Sequence, residues 1–129
     1  MKATERMLIK GRVFLVLHDG DDADQLARDL DAKGWSCAVA AEQGDRGVSY
    51  IRDSKPTAVI IDASRVIDAG IATAAAMRAD PTTRAIPIIF IHAHKAVDQI
   101  NAAVPRAIFA SRDALDYALH ELAKRPVAS

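Results

Sequence analysis

A short apolar run at residues 58–61 (AVII), ending on the carboxylate of Asp62, constrains the fold more than any other feature of the sequence. The run follows the breaker KPT at residues 55–57 and is rich in β-branched residues, which is typical of a strand buried on both faces of a parallel sheet. Ligands of open α/β sheets bind beyond the carboxyl ends of the strands, so Asp62 is a candidate site residue. The alternative is an Asp that only caps the following loop.

The rest of the chain repeats this alternation of apolar runs and helical segments. Further strands are predicted at residues 13–17, 36–41, 86–91 and 107–110. Helices are predicted from Asp21 or Asp22 to a stop at Gly34, and at residues 42–54, 71–79, 96–103 and 113–125, with residues 63–70 as a loop. Strands separated by helices pair in parallel through right-handed crossovers. We therefore predict an α/β fold with a doubly wound, five-stranded parallel sheet in three layers.

Composition excludes several functions. The 129 residues suit one domain, and 17 basic residues balance 17 acidic ones, so no excess positive charge is present to neutralise the phosphates of a nucleic acid. Residues 13–17 are too short for a signal peptide or a membrane span, and the single cysteine, Cys37, fits a reducing cytoplasm. No Gly-x-Ser-x-Gly elbow or glycine-rich dinucleotide fingerprint occurs, so no enzyme is predicted.

Polar residues follow the predicted strands at the edge where the carboxyl ends meet. The first strand leads to His18 and Asp19, the third to Asp62, the fourth to His92 and the fifth to Ser111. Two carboxylates at close range repel unless a cation or a proton lies between them, and Mg²⁺ prefers such oxygen ligands. A carboxylate can also attack phosphorus to give an acyl phosphate. The pattern is compatible with phosphoryl capture on Asp62.

With these residues in place, the chain resembles the receiver domain of two-component response regulators from about residue 11 to residue 125. The resemblance rests on the element order and on VLHD at residues 16–19, IID at 60–62, DP at 80–81 and IPIIFIHA at 86–93. It implies a flavodoxin-like sheet of strand order 2-1-3-4-5. Residues 1–10 have mixed charge and no apolar period, which predicts a mobile leader, and residues 126–129 are predicted to be a tail. The resemblance also implies Asp62 as the phosphoacceptor and a magnesium site at Asp19 and Asp62.

The departures from the receiver pattern fall on the residues that sense the phosphoryl group. His18 replaces the first acidic residue and weakens the magnesium site, since imidazole is a poor ligand for this ion. His92 replaces a Thr or Ser, and Ser111 stands near the position of a Lys, with Arg112 as a candidate replacement charge. The interval from His92 to Ser111 is short, so a truncated fourth helix is expected.

These features predict an atypical, stand-alone receiver in a cytoplasmic two-component system or phosphorelay. Asp62 would accept phosphate, but its coupling to a second conformation would be impaired. Expected partners are a histidine kinase, a phosphotransfer protein or a downstream effector, without nucleic acid or membrane. One alternative is a pseudo-receiver that binds proteins independently of phosphorylation. Another is a metal or small-molecule sensor, in which His18, Asp19, Asp62 and His92 would suit zinc, manganese or iron.

Overall fold

A computed structural model describes residues 10–16, 20–40, 45–64 and 67–124. The elements alternate strictly between strand and helix in chain order. They are β1 (Gly11–Val16), α1 (Gly20–Ala32), β2 (Trp35–Ala40), α2 (Asp45–Ser54), β3 (Ala58–Asp62), α3 (Ile67–Ala79), β4 (Ile88–Ile91), α4 (Val97–Ala103), β5 (Ile108–Phe109), a 3₁₀ turn (Arg112–Ala114) and α5 (Leu115–Lys124).

The five strands form one parallel sheet in the order β2-β1-β3-β4-β5, which confirms the predicted fold class and strand order. The chain passes from β1 to β2 on one side and then crosses over β1 to β3 on the other side, so the strand order reverses at β1. Because the strands are parallel, the residues that follow β3 and β4 lie at one edge of the sheet, where the carboxyl ends meet. Open α/β sheets bind their ligands at such a reversal.

The central strands β3 and β4 are buried on both faces, as their apolar runs require. Successive side chains of a strand point to opposite faces, and the core accordingly divides in two. One half packs the sheet against α1 and α5 and includes Leu15, Leu26, Ile60, Ile89 and Leu119. The other half packs it against α2, α3 and α4 and includes Phe14, Ile51, Ile61, Met77, Phe90 and Ile100.

Two glycines have positions that explain their presence. Gly34 has a φ of 101° and donates its N–H to Asp31 O at 3.0 Å, so it ends α1 as predicted. A Cβ on Gly70 of α3 would lie 2.9 Å from Cγ2 of Ile61, so this small-residue helix packs closely on the sheet.

Several element bounds differ from the sequence predictions. Helix α3 begins at Ile67, so part of the predicted loop at residues 63–70 is helical. Strands β4 and β5 are shorter than predicted, and β5 contains only two residues. The fourth helix is short, as expected, with seven residues. The last helix begins with a 3₁₀ turn at Arg112 and becomes α-helical at Leu115.

In the described parts of the chain, every helix is too short or too polar to cross a bilayer.

Candidate functional site

The register of the sheet brings Asp62, His92 and Ser111 to the same edge. Asp62 is paired with Ile91 in the parallel ladder. The ladder continues for one more hydrogen bond, in which Ala63 N–H donates to Ile91 O at 2.9 Å. His92 therefore lies beside residue 63 in the backbone ladder. Ser111 follows β5 by two residues, after Ala110 N–H has donated to Phe90 O at 3.2 Å. These three positions therefore share one edge of the sheet at the level of the backbone.

Asp62 is the best-defined member of the site. It is the last residue of β3, is 8 % exposed, and is the one carboxylate among the fully buried polar residues of the described chain. Its Oδ1 accepts the backbone N–H of Ser64 at 2.9 Å. An Asp that bonds the backbone two residues later forms a local turn, so Asp62 does cap the loop after β3. This contact engages one carboxylate oxygen and leaves Oδ2 as a candidate nucleophile or metal ligand.

His92 lies at the abrupt end of β4. Its φ is +56°, a left-handed conformation that non-glycine residues adopt uncommonly and histidine more readily than most. Its side chain is exposed, whereas the residues on either side, Ile91 and Ala93, are buried. A bulky, solvent-exposed imidazole thus lies at the carboxyl end of β4.

Ser111 performs a structural task that the sequence analysis did not assign to it. Its φ of −79° and ψ of 162° are those of a helix N-cap, and its Oγ accepts the backbone N–H of Ala114 at 3.2 Å. The same N–H also donates to the backbone oxygen of Ser111 at 3.0 Å, so the hydroxyl shares this donor at the first turn of the helical segment. Ser111 therefore helps begin the last helical segment.

Arg112, the candidate replacement charge, is ion-paired with α1. Its Nη2 lies 3.7 Å from Oδ2 of Asp29, and both side chains are partly exposed. This contact connects the turn after β5 with the helix after β1. An exposed pair of this kind stabilises the fold by about 0.5 kcal/mol.

His18 and Asp19, which were predicted to complete the cleft, lie outside the described residues. β1 is described as far as Val16, which pairs with Ile61. Among the residues that the structure does describe, no three His, Cys, Asp or Glu side chains are grouped so as to hold a metal ion. The predicted magnesium site at Asp19 and Asp62 and the predicted transition-metal set both stay predictions.

A polar cluster at the opposite end of the sheet was missed by the sequence analysis. The buried indole of Trp35 donates its Nε1–H to Oδ1 of Asp116 at 2.8 Å. Lys10 Nζ donates to Nε2 of His120 at 2.8 Å and lies 3.8 Å from the same Asp116 oxygen. This cluster fixes α5 to the start of β2. The apolar spacing of α5 predicted its buried face but carried no signal for these polar contacts.

Cys37 lies on β2 and is half-buried. Burial, with a smaller contribution from the negative charge of Asp31, raises the pKa of its thiol to about 11. Since the thiolate is the reactive form, this environment suits an unreactive small side chain.

Comparison with known proteins identifies the fold. No protein-family profile matches the chain, and no curated protein sequence matches it significantly. Solved structures do match. The receiver domain of a sensor histidine kinase from Pseudomonas aeruginosa, described with a magnesium ion coordinated in its active-site cleft, is 17 % identical with a TM-score of 0.74, over 89 % of this chain and 98 % of that one.

Two response regulators are similar to the same extent. A receiver domain from Francisella has 17 % identity and a TM-score of 0.69, covering 89 % of this chain and 98 % of its own. The chemotaxis response regulator CheY4 of Vibrio cholerae has 16 % identity and a TM-score of 0.69, covering 86 % and 97 %. The chain therefore has the fold of response regulator receiver domains over most of its length.

Proposed function

We propose that this chain is a receiver-type signalling protein of a two-component system, with Asp62 as its phosphoacceptor and an impaired conformational switch. The observation that carries the proposal is the position of Asp62, a buried carboxylate at the carboxyl end of β3 where the strand order reverses. The receiver fold supports the signalling role, and the surroundings of Asp62 support the impaired switch.

The chemistry required of Asp62 is a single displacement. A carboxylate oxygen attacks the phosphorus of a phosphodonor, an O–P bond forms, and the bond from phosphorus to the donor breaks, which yields an acyl phosphate. The hydrogen bond from Ser64 N–H to Oδ1 orients the carboxylate and leaves Oδ2 for the attack. Burial of the group by the ends of the neighbouring strands limits the access of water to the product.

A magnesium ion is compatible with the residues present. Carboxylate oxygens are its preferred ligands, and Oδ2 of Asp62 makes no hydrogen bond with any described residue. Asp19 would supply the second carboxylate, while His18 weakens the site by removing one acidic residue. When bound, the ion would neutralise negative charge on the transferring phosphoryl group.

The switch is impaired because its usual contacts are absent or engaged elsewhere. His92 replaces a hydroxyl, the Ser111 hydroxyl caps the 3₁₀ turn, and Arg112 is ion-paired with Asp29. Shifting a two-state equilibrium almost completely requires ~5 kcal/mol of differential binding. A charge-assisted hydrogen bond contributes roughly 1.5–3 kcal/mol, so the loss of two such contacts removes most of this driving force.

The phosphoacceptor is tested by intact-mass spectrometry after incubation with acetyl phosphate and Mg²⁺. We expect an adduct of one phosphoryl group that is absent from Asp62→Asn and retained in Asp98→Asn, a matched variant of an exposed aspartate on α4. A normal receiver labelled in parallel controls for the reagent. Retention of the adduct in Asp62→Asn would assign it to another residue.

A phosphorylation-independent adaptor is the second candidate, and the capping role of Ser111 favours it, because this hydroxyl is already engaged without phosphate. Its partner would bind wild type and Asp62→Asn with equal affinity. Absence of an adduct from folded wild-type protein would support this function over the first.

A further inference from the structure

Three arginines gather at the amino ends of β4 and β5, the edge of the sheet opposite Asp62. Arg78 is in the last turn of α3, Arg84 is in the connection from α3 to β4, and Arg106 lies between α4 and β5. Arg84 and Arg106 are exposed, and Arg78 is half-buried. Because these residues belong to three separate segments, no local pattern in the sequence predicts that they meet.

The backbone carbonyl of Arg84 brings two of the guanidinium groups together. Arg78 Nη1 donates to this oxygen at 2.9 Å, and Arg106 Nη2 donates to the same oxygen at 3.0 Å. Arg78 also donates from Nε to Pro105 O and from Nη1 to Ile86 O, both at 2.8 Å. These bonds hold the Arg78 side chain in a fixed position between the segments that precede β4 and β5.

The positive charge of this group is not neutralised within the described residues. All four hydrogen bonds are accepted by carbonyl oxygens, and none of the ion pairs found in the described ranges includes these arginines. Burial and the nearby charge of Arg106 lower the pKa of Arg78, which is the direction expected of two like charges in proximity.

Many donors remain for a ligand. A guanidinium carries five N–H groups, of which Arg78 uses three and Arg106 one in these bonds. The Arg84 side chain makes no hydrogen bond or ion pair with the described residues. The paired N–H groups of an arginine match the spacing of phosphate oxygens. A phosphate dianion neutralises the charge of two adjacent guanidinium groups, whereas a carboxylate neutralises only one.

We propose that Arg78, Arg84 and Arg106 form a binding site for a tetrahedral oxyanion of the phosphate class. Arg78 is the fixed member, since three carbonyls hold it, and the exposed Arg84 and Arg106 close on the ligand from the two flanking segments. The site is separate from the phosphoacceptor, because it lies at the amino ends of the strands and Asp62 lies at the carboxyl end of β3. It therefore does not depend on the proposed function.

The test compares thermal unfolding of the full chain in sodium phosphate and in sodium chloride of equal ionic strength, with EDTA present. A ligand that binds only the folded state raises the midpoint in a saturable manner. We expect Arg84→Gln to weaken the apparent phosphate affinity about tenfold, the effect of one charge-assisted hydrogen bond. Arg28→Gln removes an exposed arginine of α1, with the same change in charge, and should leave the affinity unchanged.

Two further measurements separate this site from other effects. General exclusion of phosphate from protein surfaces would raise the midpoints of all variants equally and without saturation, and that result would overturn the proposal. Sodium sulfate should reproduce the shift and sodium acetate should not. Amide NMR signals of residues 84–86 and 106–107 should move with phosphate in wild type and in Asp62→Asn, and movement confined to the carboxyl edge would also overturn the proposal.

Discussion

The hydrogen bond between Trp35 and Asp116 predicts a specific stability difference between two substitutions. Asp116→Ala removes the acceptor and leaves the indole N–H of a side chain that is only 1 % exposed without a partner. An unsatisfied buried donor costs about 1–3 kcal/mol. The partly exposed ion pair of Asp116 with Lys10 adds at most about 0.5 kcal/mol. We expect Asp116→Ala to lower the free energy of unfolding by about 2 kcal/mol.

Asp116→Asn separates the contribution of the hydrogen-bond acceptor from that of the negative charge, because the amide oxygen can still accept the Trp35 N–H. It should cost less than about 1 kcal/mol. Asp24→Ala, at an exposed position of α1, corrects for the gain in helix propensity that alanine brings. Urea unfolding at neutral pH measures all three variants through the midpoint and slope of the transition.

The same bond predicts the pH dependence. The Trp35 hydrogen bond, with a smaller contribution from the positive charge of Lys10, lowers the pKa of Asp116 in the folded state, although partial burial opposes this shift. A lowered pKa stabilises the fold above the unfolded-state pKa of about 3.9, and this contribution disappears as the pH falls through the folded-state pKa. Wild type and Asp116→Asn should therefore converge in strongly acidic solution. The reasoning is refuted if Asp116→Ala matches Asp24→Ala, or if Asp116→Asn is as unstable as Asp116→Ala.

Three other predictions follow from single contacts. Ser111→Ala should lower the free energy of unfolding by about 1 kcal/mol through loss of the cap on Ala114, whereas Ser111→Asp retains a cap and should stay near wild type in urea unfolding. Thr83→Val should cost about 1–2 kcal/mol in the same assay, since the buried Thr83 hydroxyl donates to Met77 O at 2.8 Å. Because the pKa of Cys37 is raised to about 11, its alkylation in mildly alkaline buffer should be much slower than in urea; equal rates would contradict the burial argument.

The sheet was predictable because a strand that is buried on both faces has a continuous apolar sequence. The fully buried run of β3 and the run of β4 carried this signal, and the helices between them required parallel pairing. The bounds of α3 were less predictable. Its alanine-rich sequence is apolar around the whole helix, so the periodicity that locates a helix start was missing and the start at Ile67 was placed in a loop.

The site was predictable as a set of positions and less so as a set of contacts. The predicted strand ends placed Asp62, His92 and Ser111 at one edge of the sheet. The comparison with the receiver pattern considered Ser111 only as a position without the expected Lys. A Ser directly before a helical segment is also a helix-start signal, and attention to that signal would have found its observed role. The arginine group near β4 was not predictable, since its members meet only through carbonyls of distant segments.

The central claim is that Asp62 accepts a phosphoryl group without driving the usual rearrangement, and amide NMR spectra recorded with and without acetyl phosphate and Mg²⁺ test it most directly. In wild type, signals of residues 61–64 should move, while those of β5 and α5 should stay in place. In Asp62→Asn, the signals of residues 61–64 should not move either. Large shifts throughout β5 and α5 would show that the switch operates despite His92 and Ser111. Unmoved signals at residues 61–64 would show that Asp62 is not the acceptor.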